Sequence, residues 1–241
     1  MTDAAAIRFE YVDFSADGMS ILHGITDSFP KGKITALVGP SGAGKTTVFK
    51  LCNALKSPTS GQVYFNDVPI ESYEPVQLRR RIGLALQDAT MISGTVRENL
   101  ALPLTLQNKP LTDETAEKYM DLVGLQTEFL TRDARDLSGG QRQKLSIART
   151  LINQPEVLLL DEITSSLDRI SKQDIEQLIL KVNKTYKTTI IWITHNLEQA
   201  HTMGDYIWVM IDGEVVESGS SNLLDNPKNK DVQRFIKGEI E

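Results

Sequence analysis

The sequence predicts an α/β fold, with a largely parallel core sheet, an antiparallel β portion at its start and a helical segment inserted between core strands. Three observations carry this expectation. Short apolar runs, residues 34–38, 157–160 and 189–194, read as strands covered on both faces, as parallel strands are. Between the last two, Ile175, Leu178, Ile179 and Val182 recur at the spacing of a helix that buries one face. The first run ends in Gly39-Pro40-Ser41-Gly42-Ala43-Gly44-Lys45-Thr46, a glycine-rich loop that opens into a helix from Thr46 to Leu55.

Taken in order, the chain begins with an alternating stretch, Ile7, Phe9, Val12 and Phe14, that predicts a half-buried strand. Asp17-Gly18 marks a turn, and a second strand runs from Ile21 to Phe29 before the break at Pro30-Lys31-Gly32. After the glycine-rich loop and its helix, Gln62-Val63-Tyr64-Phe65 is a short strand that ends at the turn Asn66-Asp67. A strand follows from Arg81 to Leu86. From about residue 88 to 150 the character is helical. Thr95 and Glu98 have capping-box spacing, and Thr112 caps a helix carrying Ala116, Tyr119, Met120 and Val123 that Gly124 closes. Past His195 come a helix, a strand ending near Met210, a turn at Asp212-Gly213 and the strand residues Val215-Val216. One short helical stretch lies in a polar tail. The whole of residues 1–241 reads as one domain.

Composition narrows the function. A length of 241 residues, with 40% apolar and 24% charged residues, suits one domain with ample core. A net charge of −6 argues against non-specific nucleic-acid binding, which rests on cationic neutralisation of phosphates. The single cysteine, Cys52, permits no internal disulfide and reads as a core thiol, as in a reducing compartment. The start carries no signal-peptide pattern, and no run approaches the roughly 18 apolar residues of a membrane span. Any membrane role must come through a partner.

The chemistry sits in three short stretches. Glycines in the 39–46 loop let backbone N–H groups curl around phosphate oxygens, and the helix start adds unpaired N–H groups and a positive dipole end. Lys45 supplies a point charge, the Thr46 hydroxyl can complete a Mg²⁺ shell, and Thr47 joins the phosphate-binding set. Asp161 and Glu162 follow the 157–160 strand at the carboxyl edge, where open α/β sheets place ligands. An aspartate there can hold the metal, and the adjacent glutamate can polarise water. In Leu137-Ser138-Gly139-Gly140-Gln141, Ser138 and Gln141 form a capping box. Two glycines are not needed for capping and leave a helix N-terminus open to an anion.

Together with Gln87, Ser165-Ser166-Leu167-Asp168 and His195, these stretches resemble the ATP-binding cassette of ABC transporters over essentially the whole chain. The resemblance implies a P-loop NTPase core that hydrolyses ATP with Mg²⁺. It implies a head-to-tail dimer with a second copy, in which Ser138, Gly139, Gly140 and Gln141 contact the γ-phosphate held by the other P-loop. It assigns Gln87 to Mg²⁺ and the attacking water, His195 to the γ-phosphate, and Asp168 to the dimer seam. It further implies a membrane-spanning permease, an external solute-binding protein where the system imports, no nucleic-acid partner, and a peripheral place on the cytoplasmic face of the membrane. Ile163 stands where most such cassettes have proline, which should loosen the turn after Glu162, and Ser166 stands for alanine. Ala16 stands where an aromatic residue usually lies under the adenine. Ile170-Ser171, Thr194-His195-Asn196 and Phe235-Ile236-Lys237-Gly238 resemble phosphate-importer cassettes, whereas Asp161-Glu162-Ile163-Thr164-Ser165 is similar to metal-exporter ones. A non-transport cassette would carry long coiled coils or two motif sets. Here each motif occurs once and no heptads are evident.

Overall fold

The computed structural model describes residues 4–240. Ala5–Ala16 (β1) and Met19–Pro30 (β2) form a hairpin about Asp17-Gly18, and Ile34–Val38 (β3) leads into Lys45–Cys52 (α1). Ser60–Phe65 (β4) and Val68–Pro69 (β5) precede Pro75–Arg81 (α2) and Ile82–Ala85 (β6). Val96–Thr105 (α3), Asp113–Val123 (α4) and Gly139–Leu151 (α5) come before Val157–Asp161 (β7). Arg169–Tyr186 (α6), Thr189–Ile193 (β8), Leu197–Met203 (α7), Tyr206–Ile211 (β9), Glu214–Ser220 (β10) and Lys230–Ile236 (α8) follow.

Two sheets result. The first is antiparallel, in the order β2-β1-β4-β5, and the second runs β10-β9-β3-β8-β7-β6. The second is parallel from β9 to β6, with β10 antiparallel at its edge. Because β3, β8 and β7 are neighbours and parallel, the loops that leave them emerge side by side at one sheet edge. Those loops carry the glycine-rich stretch, His195, and Glu162.

The sheets are joined by aromatic packing. Trp208 of β9 stacks on Phe29 of β2 at 4.0 Å between ring centroids, and Phe9 meets both rings edge-on. All three are buried, each worth on the order of 3 kcal/mol or less in area removed from water. The opposite face of the parallel sheet packs Leu158, Leu160 and Trp192 against α3, α4, α5 and α6. Cys52 is fully buried, which pushes its thiol pKa up, as a core thiol requires. Among the described residues no helix is long and apolar enough to cross a membrane.

Both expected capping boxes form, Thr95 with Glu98 and Ser138 with Gln141, and Gly124 ends α4 in the left-handed conformation. Three details differ from expectation. Helix α1 stops at Cys52 rather than Leu55, because Ala54 turns left-handed (φ 52°) and Leu55 N–H bonds back to the Lys50 carbonyl at 2.8 Å. Helix α2 was not expected; Glu74 caps it, accepting from Val76 and Gln77 N–H, with Pro75 in the first turn. The turn after Glu162 is not loosened by Ile163. That side chain is buried in the helical-side core, and the Glu162 carbonyl accepts from both the N–H and the hydroxyl of Ser165.

Candidate functional site

The glycine-rich loop links buried strand β3 to α1, and its glycines serve different ends. At Gly39 a Cβ would fall 1.9 Å from the Met210 carbonyl oxygen of β9, and at Gly44 one would fall 2.5 Å from Leu22 Cδ2. At Gly42, left-handed at φ 82°, a Cβ would meet nothing within 4 Å. The outer two glycines therefore seat the loop on the sheet, and Gly42 keeps its open side free for an anion. Lys45 is 6% exposed, and its ammonium donates at 2.7 Å to the carbonyls of both Gly39 and Pro40. Burial lowers its pKa, and the nearby carboxylates of Glu162 and Asp161 work the other way.

A cavity of about 250 Å³ opens over this loop, lined by residues 41–47, by Ile21, and by Glu162 and His195. His195 Nε2 donates to Glu162 Oε1 at 2.6 Å. Glu162 itself is left-handed (φ 49°), a conformation unfavourable for a residue with a Cβ. Its N–H bonds to the Ile193 carbonyl of β8, which fixes the loop after β7 against the strand that delivers His195. Asp161 ends β7; burial raises its pKa most, with Glu162 beside it adding to the rise. Thr46 and Asp161 offer hard oxygen donors, the type Mg²⁺ takes together with phosphates and water. Among the described residues no three His, Cys, Asp or Glu side chains gather as a self-sufficient metal site.

The remaining predicted residues lie elsewhere. Gln87 is exposed and lines a separate cavity of about 400 Å³ with Gly139, Arg142 and Ser166. Ser138 and Gln141 bond to each other, Ser138 N–H to Gln141 Oε1 at 2.9 Å and Gln141 N–H to the Ser138 hydroxyl at 3.3 Å. Gly139 is open, but at Gly140 a Cβ would fall 2.6 Å from the Ser171 hydroxyl of α6. The second glycine is therefore required by its packing against α6, whether or not an anion approaches its N–H. Asp168 caps α6 through Ile170 and Ser171, and these hydrogen bonds lower its pKa. Two residues of this region carry no local signal: Ile21, whose apolar character marks it only as a strand residue, and Gln199, whose partners are distant in the chain.

Residues 22–165 match the family model described as ABC transporter. Bacillus subtilis YjkB, named as an ABC transporter ATP-binding protein, is 42% identical over 238 residues, spanning 97% of this chain and 94% of its own. The methionine import ATP-binding protein MetN of Mannheimia succiniciproducens is 37% identical over 95% of this chain and 68% of its own length. Among solved structures, cbiO1 of Clostridium perfringens, part of the ABC transporter complex cbiONQ, matches with a TM-score of 0.85 at 26% identity. That match covers 98% of this chain and 96% of cbiO1. The dimeric structure of the bacterial ABC transporter cassette MJ0796 matches at 0.77 with 28% identity, over 89% of this chain and 98% of that one.

Proposed function

Since the chain belongs to the ABC transporter family of ATP-binding cassettes, we propose that it is the ATP-hydrolysing subunit driving a separate membrane-spanning permease. Residues 1–241 form one nucleotide-binding domain, with the helical segment of about 88–150 set into its α/β core. The observation that carries this reading is the Glu162–His195 contact over the cavity of the glycine-rich loop.

The N–H groups of residues 42–46 cradle the phosphates of ATP, and Lys45 turns from its loop carbonyls to their charge. Thr46 and Asp161 would hold Mg²⁺, which would neutralise phosphate charge, and Gln87, which lines the other cavity in this structure, would reach the metal only on a movement of its loop toward this one. Glu162 accepts a proton from the water that attacks the γ-phosphorus, and His195 holds that carboxylate in place. Ser138, Gly139, Gly140 and Gln141 of a second copy complete the site, as the separation of the two cavities within one chain favours. The dimeric neighbour is consistent with that arrangement. The subunit sits peripherally on the cytoplasmic face, held by its permease.

The solute is a property of the permease. Phosphate is the one favoured by the resemblance at 170–171, 194–196 and 235–238; metal export is the alternative that 161–165 suggest. A relative at 37% identity is named for methionine import, so likeness of the cassette alone does not identify the solute. Co-purification of the permease, with or without a solute-binding protein, and a survey of which solute stimulates hydrolysis decides between them. For the chemistry, Glu162→Gln is expected to bind ATP, accumulate a closed dimer on size exclusion and turn over about 10²–10⁴-fold more slowly. Turnover near the wild-type rate would remove Glu162 from the role of base.

A further inference from the structure

We propose that Gln199 is a positioning residue whose buried side-chain amide locks the loop carrying Glu162 to the loop carrying His195. The inference rests on the hydrolytic role of those two residues. Gln199 lies on α7 and is 5% exposed. Its Oε1 accepts from the Thr194 hydroxyl, immediately before His195. Its Nε2 donates at 3.3 Å to the Thr164 hydroxyl, just past Glu162, and at 2.8 Å to Glu176 Oε1 on α6. Its own N–H donates to the Asn196 side chain at 3.1 Å, and Asn196 N–H donates to the Thr194 hydroxyl at 3.1 Å. One amide thus spends both hydrogens and its oxygen on three separate elements.

The need for such a lock follows from local geometry. Glu162 is held left-handed, and strained positions persist only where their surroundings over-determine them. The Glu162–His195 hydrogen bond closes a ring of contacts through Thr164, Gln199 and Thr194. Removing the amide leaves the buried Thr164 and Thr194 hydroxyls and the partly buried Glu176 carboxylate to find other partners, and the two loops lose their common anchor. The glycine-rich loop makes none of these contacts, so ATP binding is untouched.

Gln199→Leu is therefore expected to lower kcat about ten- to a hundred-fold while KM for ATP stays within about twofold. Gln199→Glu sets two carboxylates face to face, with Glu162, Lys172, His195 and Glu198 the other ionisable side chains along the adjoining cavity, and should lose activity similarly. Adding Glu176→Gln to that variant restores one amide and one carboxylate across the same gap, and kcat should return to within about threefold of wild type. Unchanged kcat in Gln199→Leu overturns the proposal. So does a double variant no better than Gln199→Glu, which decides the matter even if Gln199→Leu does not fold. Hydrolysis by the wild type and its loss in Glu162→Gln test the underlying reading separately. If those hold while the Gln199 variants behave as wild type, only the lock falls.

Discussion

Ala16 closes β1 opposite Met19, where its methyl packs partly buried against the inter-sheet core. From that position nothing flat reaches the nucleotide cavity, whose apolar lining is Ile21 of β2 and Ala43. Tyr11 is 75% exposed at a left-handed irregularity of β1, its N–H tied to the Thr26 hydroxyl, and it does not line that cavity. An aromatic stack on a base is worth about 1–3 kcal/mol, roughly a five- to hundred-fold affinity difference. The phosphate contacts of the 42–46 backbone do not depend on the base. The isolated chain is therefore expected to bind ATP weakly and to discriminate poorly against GTP. Ala16→Tyr should tighten ATP binding by up to that factor in a calorimetric titration. Tight binding by the wild type, unchanged in Ala16→Tyr, would mean that another residue holds the adenine, with Ile21 and Tyr11 the first to substitute.

Helix α5 meets α6 through Gly140, and the two glycines of that first turn make opposite predictions. A Cβ at Gly140 would fall 2.9 Å from Ser171 Cβ as well as 2.6 Å from its hydroxyl, which itself donates to Asp168. Gly140→Ala should therefore destabilise the chain by about 1–3 kcal/mol in urea unfolding, and Ser171→Gly in the same chain should recover part of it. At Gly139 a Cβ would make an ordinary 3.8 Å contact with Leu167, so Gly139→Ala should leave stability equal or higher by up to about 1 kcal/mol. If Gly139→Ala nevertheless abolishes ATPase activity, Gly139 is needed for a ligand rather than for folding. Elements of this kind were legible where the signal was local: the caps at Thr95, Thr112 and Ser138, the closing Gly124, and the apolar strands of the core sheet. What could not be read was non-local. No pattern marks Ala54 as left-handed, Glu74 is an uncommon cap, and the burial of Ile163 depends on helices far along the chain. The Thr164–Gln199–Thr194 bridge joins segments that only the strand order β8-β7 brings together.

At the scale of the molecule, one chain carries two half-sites. Residues 41–47, Glu162 and His195 share one cavity; Gln87 and Gly139 share another, and Ser138 and Gln141 meanwhile cap each other. An anion held by the loop after β3 is thus offered Lys45 and Glu162 from its own chain but no signature residue. In the proposed head-to-tail pair, a second copy would supply that signature and receive this chain's in return, which would make two equivalent composite sites. The geometry is testable by complementation. Lys45→Ala removes the phosphate charge, and Ser138→Arg places a bulky cation at the opposing face, so each homodimer should be inactive. In a mixed dimer, one site pairs the intact loop of the Ser138→Arg chain with the intact signature of the Lys45→Ala chain, and its partner site carries both lesions. A covalently tethered dimer of one wild-type chain and one doubly substituted chain leaves each site with a single lesion, and should be inactive like the homodimers. The tethered Lys45→Ala/Ser138→Arg pair should recover up to about half of wild-type activity if each site fires independently. Restoration in the second tether but not the first is the outcome that only trans pairing produces. Activity in the first tether without activity in the second would place loop and signature of the same chain in one site.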